Sequence, residues 1–120
     1  SKYFFATVTG FASPYAITTT PDSSRAYVTD GPDLRMIDTN PDSPTFNTII
    51  AAPGLLGILD NAVCVAITPD GRFGYVTNFN TNTMILFDAD PASNTYNTVL
   101  AAPGLVGVFN QPNSVAITPD

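Results

Sequence analysis

The sequence predicts an all-β fold made of short antiparallel strands in repeated four-stranded sheets. Three observations predict it. The first is a repeat: residues 40–70 and 90–120 align without gaps at an offset of 50, with 17 of 31 positions identical. Asn47-Thr48 returns as Asn97-Thr98, Ala51-Ala52-Pro53-Gly54 as Ala101-Ala102-Pro103-Gly104, and residues 65–70 as residues 115–120. A fainter copy lies upstream, where Thr20-Pro21-Asp22 and Tyr27-Val28-Thr29 match Thr68-Pro69-Asp70 and Tyr75-Val76-Thr77 at an offset of 48. A period of this size is the mark of an array of stacked units. The second observation is compositional. All ten acidic residues are Asp, and eleven Pro and eight Gly accompany them. Asp suits turns, where its short side chain bonds nearby backbone, whereas Glu suits helix interiors. The third is spacing: apolar, β-branched runs of about 5–6 residues recur with turn residues every 8–12, as in all-β chains.

Each unit divides into four strands, a to d. In the first unit they fall at 15–20, 25–29, 34–38 and 45–51. In the second they fall at 63–68, 73–78, 83–88 and 95–101. Thr68-Pro69-Asp70-Gly71 supplies the a–b turn, with Pro pre-set for the first central position and Gly at the last. Asn80-Thr81-Asn82 turns b into c, and the polar run Ala89-Asp90-Pro91-Ala92-Ser93-Asn94 leads into d. Residues 2–9 take the place of an outer strand d before the first unit. Residues 113–118 form a third strand a. The whole chain, 1–120, reads as one partial domain in the order d, abcd, abcd, a, with sheets over 15–51 and 63–101 and no helix longer than about two turns.

Side chains alternate across a strand. One face of strand a carries Ala16, Thr18 and Thr20, then Cys64, Ala66 and Thr68, then Ser114, Ala116 and Thr118, all small. The other face carries Tyr15 and Ile17, then Val63, Val65 and Ile67, then Val115 and Ile117, mostly bulky. A sheet with one small and one bulky face stacks on copies of itself, and such stacking closes radially into a β-propeller.

These residues carry a family resemblance. Residues 112–115 followed by Ala-Ile-Thr-Pro-Asp, and Asp70-Gly71 followed by Tyr75-Val76-Thr77-Asn78, resemble the YVTN-type β-propeller repeat. The tetrapeptide recurs as Tyr27-Val28-Thr29-Asp30, and Ile85-Leu86-Phe87-Asp88 and Met36-Ile37-Asp38 are similar to the family's third strand. The resemblance covers nearly the whole chain and implies a propeller of about two and a half blades. It departs from the family in two ways. The repeat is longer, with the surplus after strand c and in the Ala-Ala-Pro-Gly loop, and such propellers have six to eight blades. The expectation is therefore a fragment of a longer propeller, ahead of a chain that assembles with its own copies. Related propellers are often exported, so an extracellular, cell-surface or periplasmic location is expected, although no signal peptide is visible.

Composition excludes several functions. His is absent, so triads, general bases and metal sites that depend on it cannot form within the chain. One Cys makes neither an intrachain disulfide nor a Cys-rich zinc site. A net charge of −6, with only Lys2, Arg25, Arg35 and Arg72 as cations, argues against nucleic acid. No apolar run approaches the roughly 18–20 residues that span a bilayer, so no membrane insertion is expected.

The strand order places the b–c and d–a loops on one face. The candidate ligand-binding residues there are Asp30, Asp33, Asn78, Asn80, Leu55, Leu56, Leu105 and Phe109. The apolar d–a loops, 55–59 and 105–109, are either a partner surface or an inward-folding cover over the blade junctions. Asp30, Asp33, Asp38 and Asp42 lack the spacing of a calcium loop, and Asp38 and Asp88 read as turn carboxylates. Cys64, Tyr27 and Tyr75 read as packed strand-face residues. No catalytic residue, metal ligand or cofactor is assigned. The reading is a non-enzymatic binding or scaffold module, partnered by a protein, by further blades or by its own copies. The alternative is part of a propeller enzyme, lactonase-like or quinoprotein-like, whose active site lies on other blades.

Overall fold

The computed structural model describes residues 7–100 and 109–119. The fold is all-β. Two four-stranded antiparallel sheets follow one another, β1 (Pro14–Thr19), β2 (Arg25–Asp30), β3 (Asp33–Asp38) and β4 (Ile49–Ile50), then β5 (Ala62–Ile67), β6 (Phe73–Asn78), β7 (Thr83–Asp88) and β8 (Val99–Leu100). In each sheet the strands lie side by side in sequence order. The sole helix among the described residues is a 3-10 turn, Pro53–Leu55.

Local chemistry sets the turns. Gly71 adopts φ +75° and donates to the Thr68 carbonyl at 2.8 Å, closing the β5–β6 turn. That left-handed backbone suits a residue without Cβ. β2 and β3 pair from Arg25↔Asp38 to Asp30↔Asp33, leaving only Gly31 and Pro32 in the hairpin.

Strand d is far shorter than the sequence suggests. The expected strands 45–51 and 95–101 shrink to Ile49–Ile50 and Val99–Leu100; Ala101 lies outside the described residues. The cause is a turn centred on the aspartate that ends strand c. Asp38 Oδ1 accepts from the Asn40 N–H at 3.0 Å, and Oδ2 accepts from the hydroxyls of Ser43 and Thr45. The Asn47 N–H then bonds the Asp38 carbonyl at 2.8 Å, with Asn47 at φ +62°. Asp88, Ser93, Thr95 and Asn97 repeat the device. The backbone that would extend strand d is folded into this turn instead.

Residues 113–118 also differ from expectation. They form no strand, and no strand among the described residues pairs with them; their described tie is to β5, where the Val115 N–H meets Cys64 Sγ at 3.4 Å. Of the expected strand at 2–9, residues 2–6 lie outside the described residues and 7–9 form no strand.

The two sheets pack face to face. Register puts Thr18, Tyr27, Met36 and Ile50 in one row on the first sheet, and Val65, Val76 and Ile85 in one row on the second. Tyr27, Leu34 and Met36 join Val65, Val76 and Phe87 in the main buried cluster. The Tyr27 and Phe87 rings sit 5.1 Å apart, tilted by 57°, in the range of favourable aromatic pairs. Leu55 and Leu59, from the segment joining the sheets, close the cluster and are buried. A smaller cluster of Ala26, Val28 and Ile37 lies on the far face of the first sheet, under Val8 and Phe11.

Candidate functional site

The loops joining β2 to β3, β4 to β5 and β6 to β7 do meet on one face, tied by backbone hydrogen bonds. The Leu59 N–H bonds the Pro32 carbonyl at 3.0 Å, and the Ala62 N–H bonds that of Gly31 at 3.2 Å. The Phe79 and Asn80 N–H groups bond the carbonyls of Asn61 and Asp60 at 3.2 and 3.3 Å. The Gln111 N–H bonds Asn82 Oδ1 at 2.7 Å, adding the next segment to the series.

The polar candidates on this face hold that framework. Asp30 is 1% exposed. Its carboxylate accepts from the N–H groups of Ala12 and Ser13 and from Arg35 Nε at 2.8 Å. Burial by itself would raise its pKa, but these donors outweigh burial and hold it below the usual carboxylate range. Asn78, its counterpart, accepts the Asp60 N–H on Oδ1 at 2.8 Å. Positions 12 and 60 are related by the same offset of 48. The fourth residue of the Tyr-Val-Thr-[Asp/Asn] motif therefore pins the loop that enters its own strand a, and either side chain serves because only an acceptor oxygen is needed. Asp33 Oδ1 accepts the Gly57 N–H at 2.7 Å, and its Oδ2 faces Arg35 at 3.2 Å. Asn80 Nδ2 donates to Asp60 Oδ1 at 3.0 Å on the exposed rim.

The apolar candidates separate. Leu55 is 0% exposed and is a core residue, not part of a binding surface. The 3-10 turn drives it inward, and Gly54 beside it lies so close to Asn97 that a Cβ would overlap the carbonyl oxygen. Leu56 is 47% exposed and Ile58 38%. Leu56 rims a cleft of about 220 Å³ with Leu34, Arg35, Ile49 and Ala52. Leu105 lies outside the described residues. Phe109 is half-buried.

A second cleft, of about 170 Å³, opens between the sheets on the opposite face, around Asp22, Asp70, Asp90 and Arg25. Its carboxylates are bonded within their own turns. Asp22 accepts from Thr20 Oγ1 at 2.7 Å, Asp70 from Thr68 Oγ1 at 2.6 Å, and Asp90 from the Ala92 N–H at 3.0 Å.

Sequence reasoning missed three features. Arg35 bridges Asp30 and Asp33. The Tyr27 hydroxyl donates to Asn97 Oδ1 at 2.8 Å in the buried junction, and burial raises the Tyr27 pKa well above its ordinary value. The third is the Asp-Ser-Thr turn, whose signal was present: Asp38, Ser43 and Thr45 recur at identical spacing as Asp88, Ser93 and Thr95.

That turn predicts acid sensitivity. The Ser43 and Thr45 hydroxyls, then the Asn40 N–H and Arg25, hold Asp38 at a pKa of about 2 against the opposing effect of burial. At Asp88 burial is the largest influence and pushes upward, but Ser93, Thr95 and the Asp90 N–H outweigh it. A carboxyl that titrates lower in the folded than in the unfolded chain stabilises the fold above its unfolded pKa of about 3.9. That contribution fades as pH falls through the folded value. The melting temperature should therefore be level above about pH 5 and fall between about pH 4 and pH 2. Asp38→Asn should flatten part of the fall. A melting temperature unchanged down to about pH 2 would contradict these native-state pKa values.

No protein-family model matches the sequence, and no curated protein matches it significantly. Among solved structures, the fold is similar to a candidate 6-phosphogluconolactonase from Bacteroides uniformis ATCC 8492, solved at 2.20 Å. The TM-score is 0.55 and the identity 17%, over 73% of this chain. The match spans 25% of the solved chain, about a quarter of its length. At this identity the likeness is one of fold alone: two stacked four-stranded antiparallel sheets, consistent with part of a propeller-like β fold.

Proposed function

We propose that this chain is a non-enzymatic recognition module of a YVTN-like propeller, holding a protein ligand on the face formed by its β2–β3, β4–β5 and β6–β7 loops. The observation that supports it best is the joined loop face itself. Hydrogen bonds from loop to loop make one continuous surface, on which Leu56 and Ile58 stand exposed beside Asp60 and Asn80. An apolar pair with a polar rim suits a protein ligand. Asp30, Asp38, Asp88 and Asn78 serve the turns and loops, which favours a rigid display surface over a reactive centre. A second reading draws on the fold likeness to the candidate 6-phosphogluconolactonase: a lactone-acting propeller, with the reacting groups on other blades.

Two measurements separate these readings. Panning phage-displayed random peptides on the chain should yield binders that lose affinity for Leu56→Asp/Ile58→Asp and keep it for Ile17→Asp. Binders indifferent to the loop variant would sink the loop-face reading. Hydrolysis of 6-phosphoglucono-δ-lactone and glucono-δ-lactone should run at the spontaneous rate with the protein present. A saturable acceleration would overturn the non-enzymatic reading in favour of the second.

A further inference from the structure

Strand d leaves the first sheet early, and its departure leaves main-chain groups of β3 without a partner. The Asp38 N–H bonds the Thr48 carbonyl at 3.0 Å, and the Asp38 carbonyl accepts from the Asn47 N–H at 2.8 Å, so the main chain of Asp38 faces strand d. Along an antiparallel strand this facing alternates, so Met36 and Leu34 face the same way. Met36 lies opposite Ile50. The same register would set Leu34 opposite Ala52, but the Ala52 carbonyl accepts from the Leu55 N–H at 3.0 Å and closes the 3-10 turn instead. The Leu34 N–H and C=O therefore have no hydrogen-bond partner among the described residues, although Leu34 is 1% exposed. Buried main-chain groups are nearly always paired.

These two groups face the cleft of about 220 Å³ that Leu56 rims, walled by Ile49, Ile50, Ala51 and Ala52. One donor and one acceptor on a single residue are what a hydrogen-bonded antiparallel pair uses. Charge adds a preference. Asp30, Asp33 and Asp60 stand on this face against one cation among the described residues, Arg35, which Asp30 and Asp33 already engage, and Asp60 is exposed.

We propose that the protein ligand binds here by strand addition, as an extended segment with an aliphatic side chain and a neighbouring Lys or Arg. One of its residues takes the place that Ala52 gives up. Its carbonyl accepts the Leu34 N–H, its own N–H donates to the Leu34 carbonyl, and its aliphatic neighbours lie against the cleft walls. Lys or Arg beside them meets the acidic rim. The inference rests on the loop-face reading and narrows its ligand to an extended chain.

Peptides panned on the full chain supply the probes. Those that lose affinity for Leu56→Asp/Ile58→Asp are resynthesised with each backbone amide N-methylated in turn. Methylation at one amide should weaken binding by about tenfold or more, because it leaves the Leu34 carbonyl buried and unpaired. Amide hydrogen exchange, followed by NMR, reads the other half of the pair. In the free chain the Leu34 N–H should exchange faster than that of Met36, and bound peptide should slow it. Peptides that need Leu56 and Ile58 yet tolerate methylation at every amide would overturn strand addition and leave the loop face standing. A Leu34 amide as protected as that of Met36 in the free chain would also overturn it. Peptides indifferent to Leu56→Asp/Ile58→Asp would remove the loop-face reading and this inference together.

Discussion

Phe87→Ala should lower the unfolding free energy by about 3–5 kcal/mol, the usual cost of truncating a buried Phe. Phe87 is 0% exposed and lies at the centre of the contact between the two sheets. Gly74 sits directly beneath the ring, where a Cβ would overlap it. Gly74 therefore has no side chain with which to fill the cavity that alanine leaves. The substitution also removes the aromatic contact with Tyr27, worth about 0.5–1.5 kcal/mol beyond area burial. Domains of this kind are stable by only about 5–15 kcal/mol, so the variant should unfold at much lower urea. The chain has no Trp, so tyrosine fluorescence or circular dichroism reports the transition. A loss below about 1 kcal/mol would mean that the sheets do not depend on Phe87 for their packing.

Phe87 shows which part of the fold was legible. In the two sheets, strands a, b and c are local objects: alternation and turn residues fix them, and their observed bounds differ from the sequence reading by a residue or so, whereas the third strand a expected at 113–118 forms no strand. The period of two also placed the small side of β1 toward the bulky Val65 side of β5, but the small-face reading holds for strand a alone, because Tyr27, Met36 and Ile50 share that face of the first sheet. Strand d was not legible. Residues 45–48 have strand composition, with Thr45 and Phe46 leading into Thr48, Ile49 and Ile50. What removes them from the sheet is the Asp38 carboxylate, which gathers hydroxyl and amide donors from several positions downstream. Propensity describes single residues, and that turn is a cooperative arrangement of five.

The meeting of the loops was legible, but not what their polar side chains do. Strand order was enough to bring the b–c and d–a loops to one face. It could not show that Asp30 and Asn78 look inward at backbone amides, because an exposed acceptor and one pinning a loop have the same residue type. Likewise, Arg35 has no counterpart in the second unit, where Ile85 holds the equivalent position, so repeat reasoning gave it no weight.

Leu55→Ala tests the point at which the sequence was most ambiguous. Adjacent leucines occupy one loop, and nothing in the residue type separates them. In the structure the 3-10 turn over Pro53–Leu55 sends Leu55 into the junction at 0% exposure and leaves Leu56 at 47%. Burying a leucine completely and then truncating it costs about 2–5 kcal/mol, through lost transfer energy and the cavity. Leu55→Ala should therefore shift the denaturation midpoint strongly, while Leu56→Ser stays within about 0.5 kcal/mol of the parent. The contrast extends to recognition. Leu56→Ser should weaken peptides selected against the loop face without touching stability, whereas Leu55→Ala should weaken them only as far as it unfolds the chain. Equal and small stability changes at the two positions would mean that the d–a loop lies on the surface as a whole and that Leu55 does not seal the junction between the sheets.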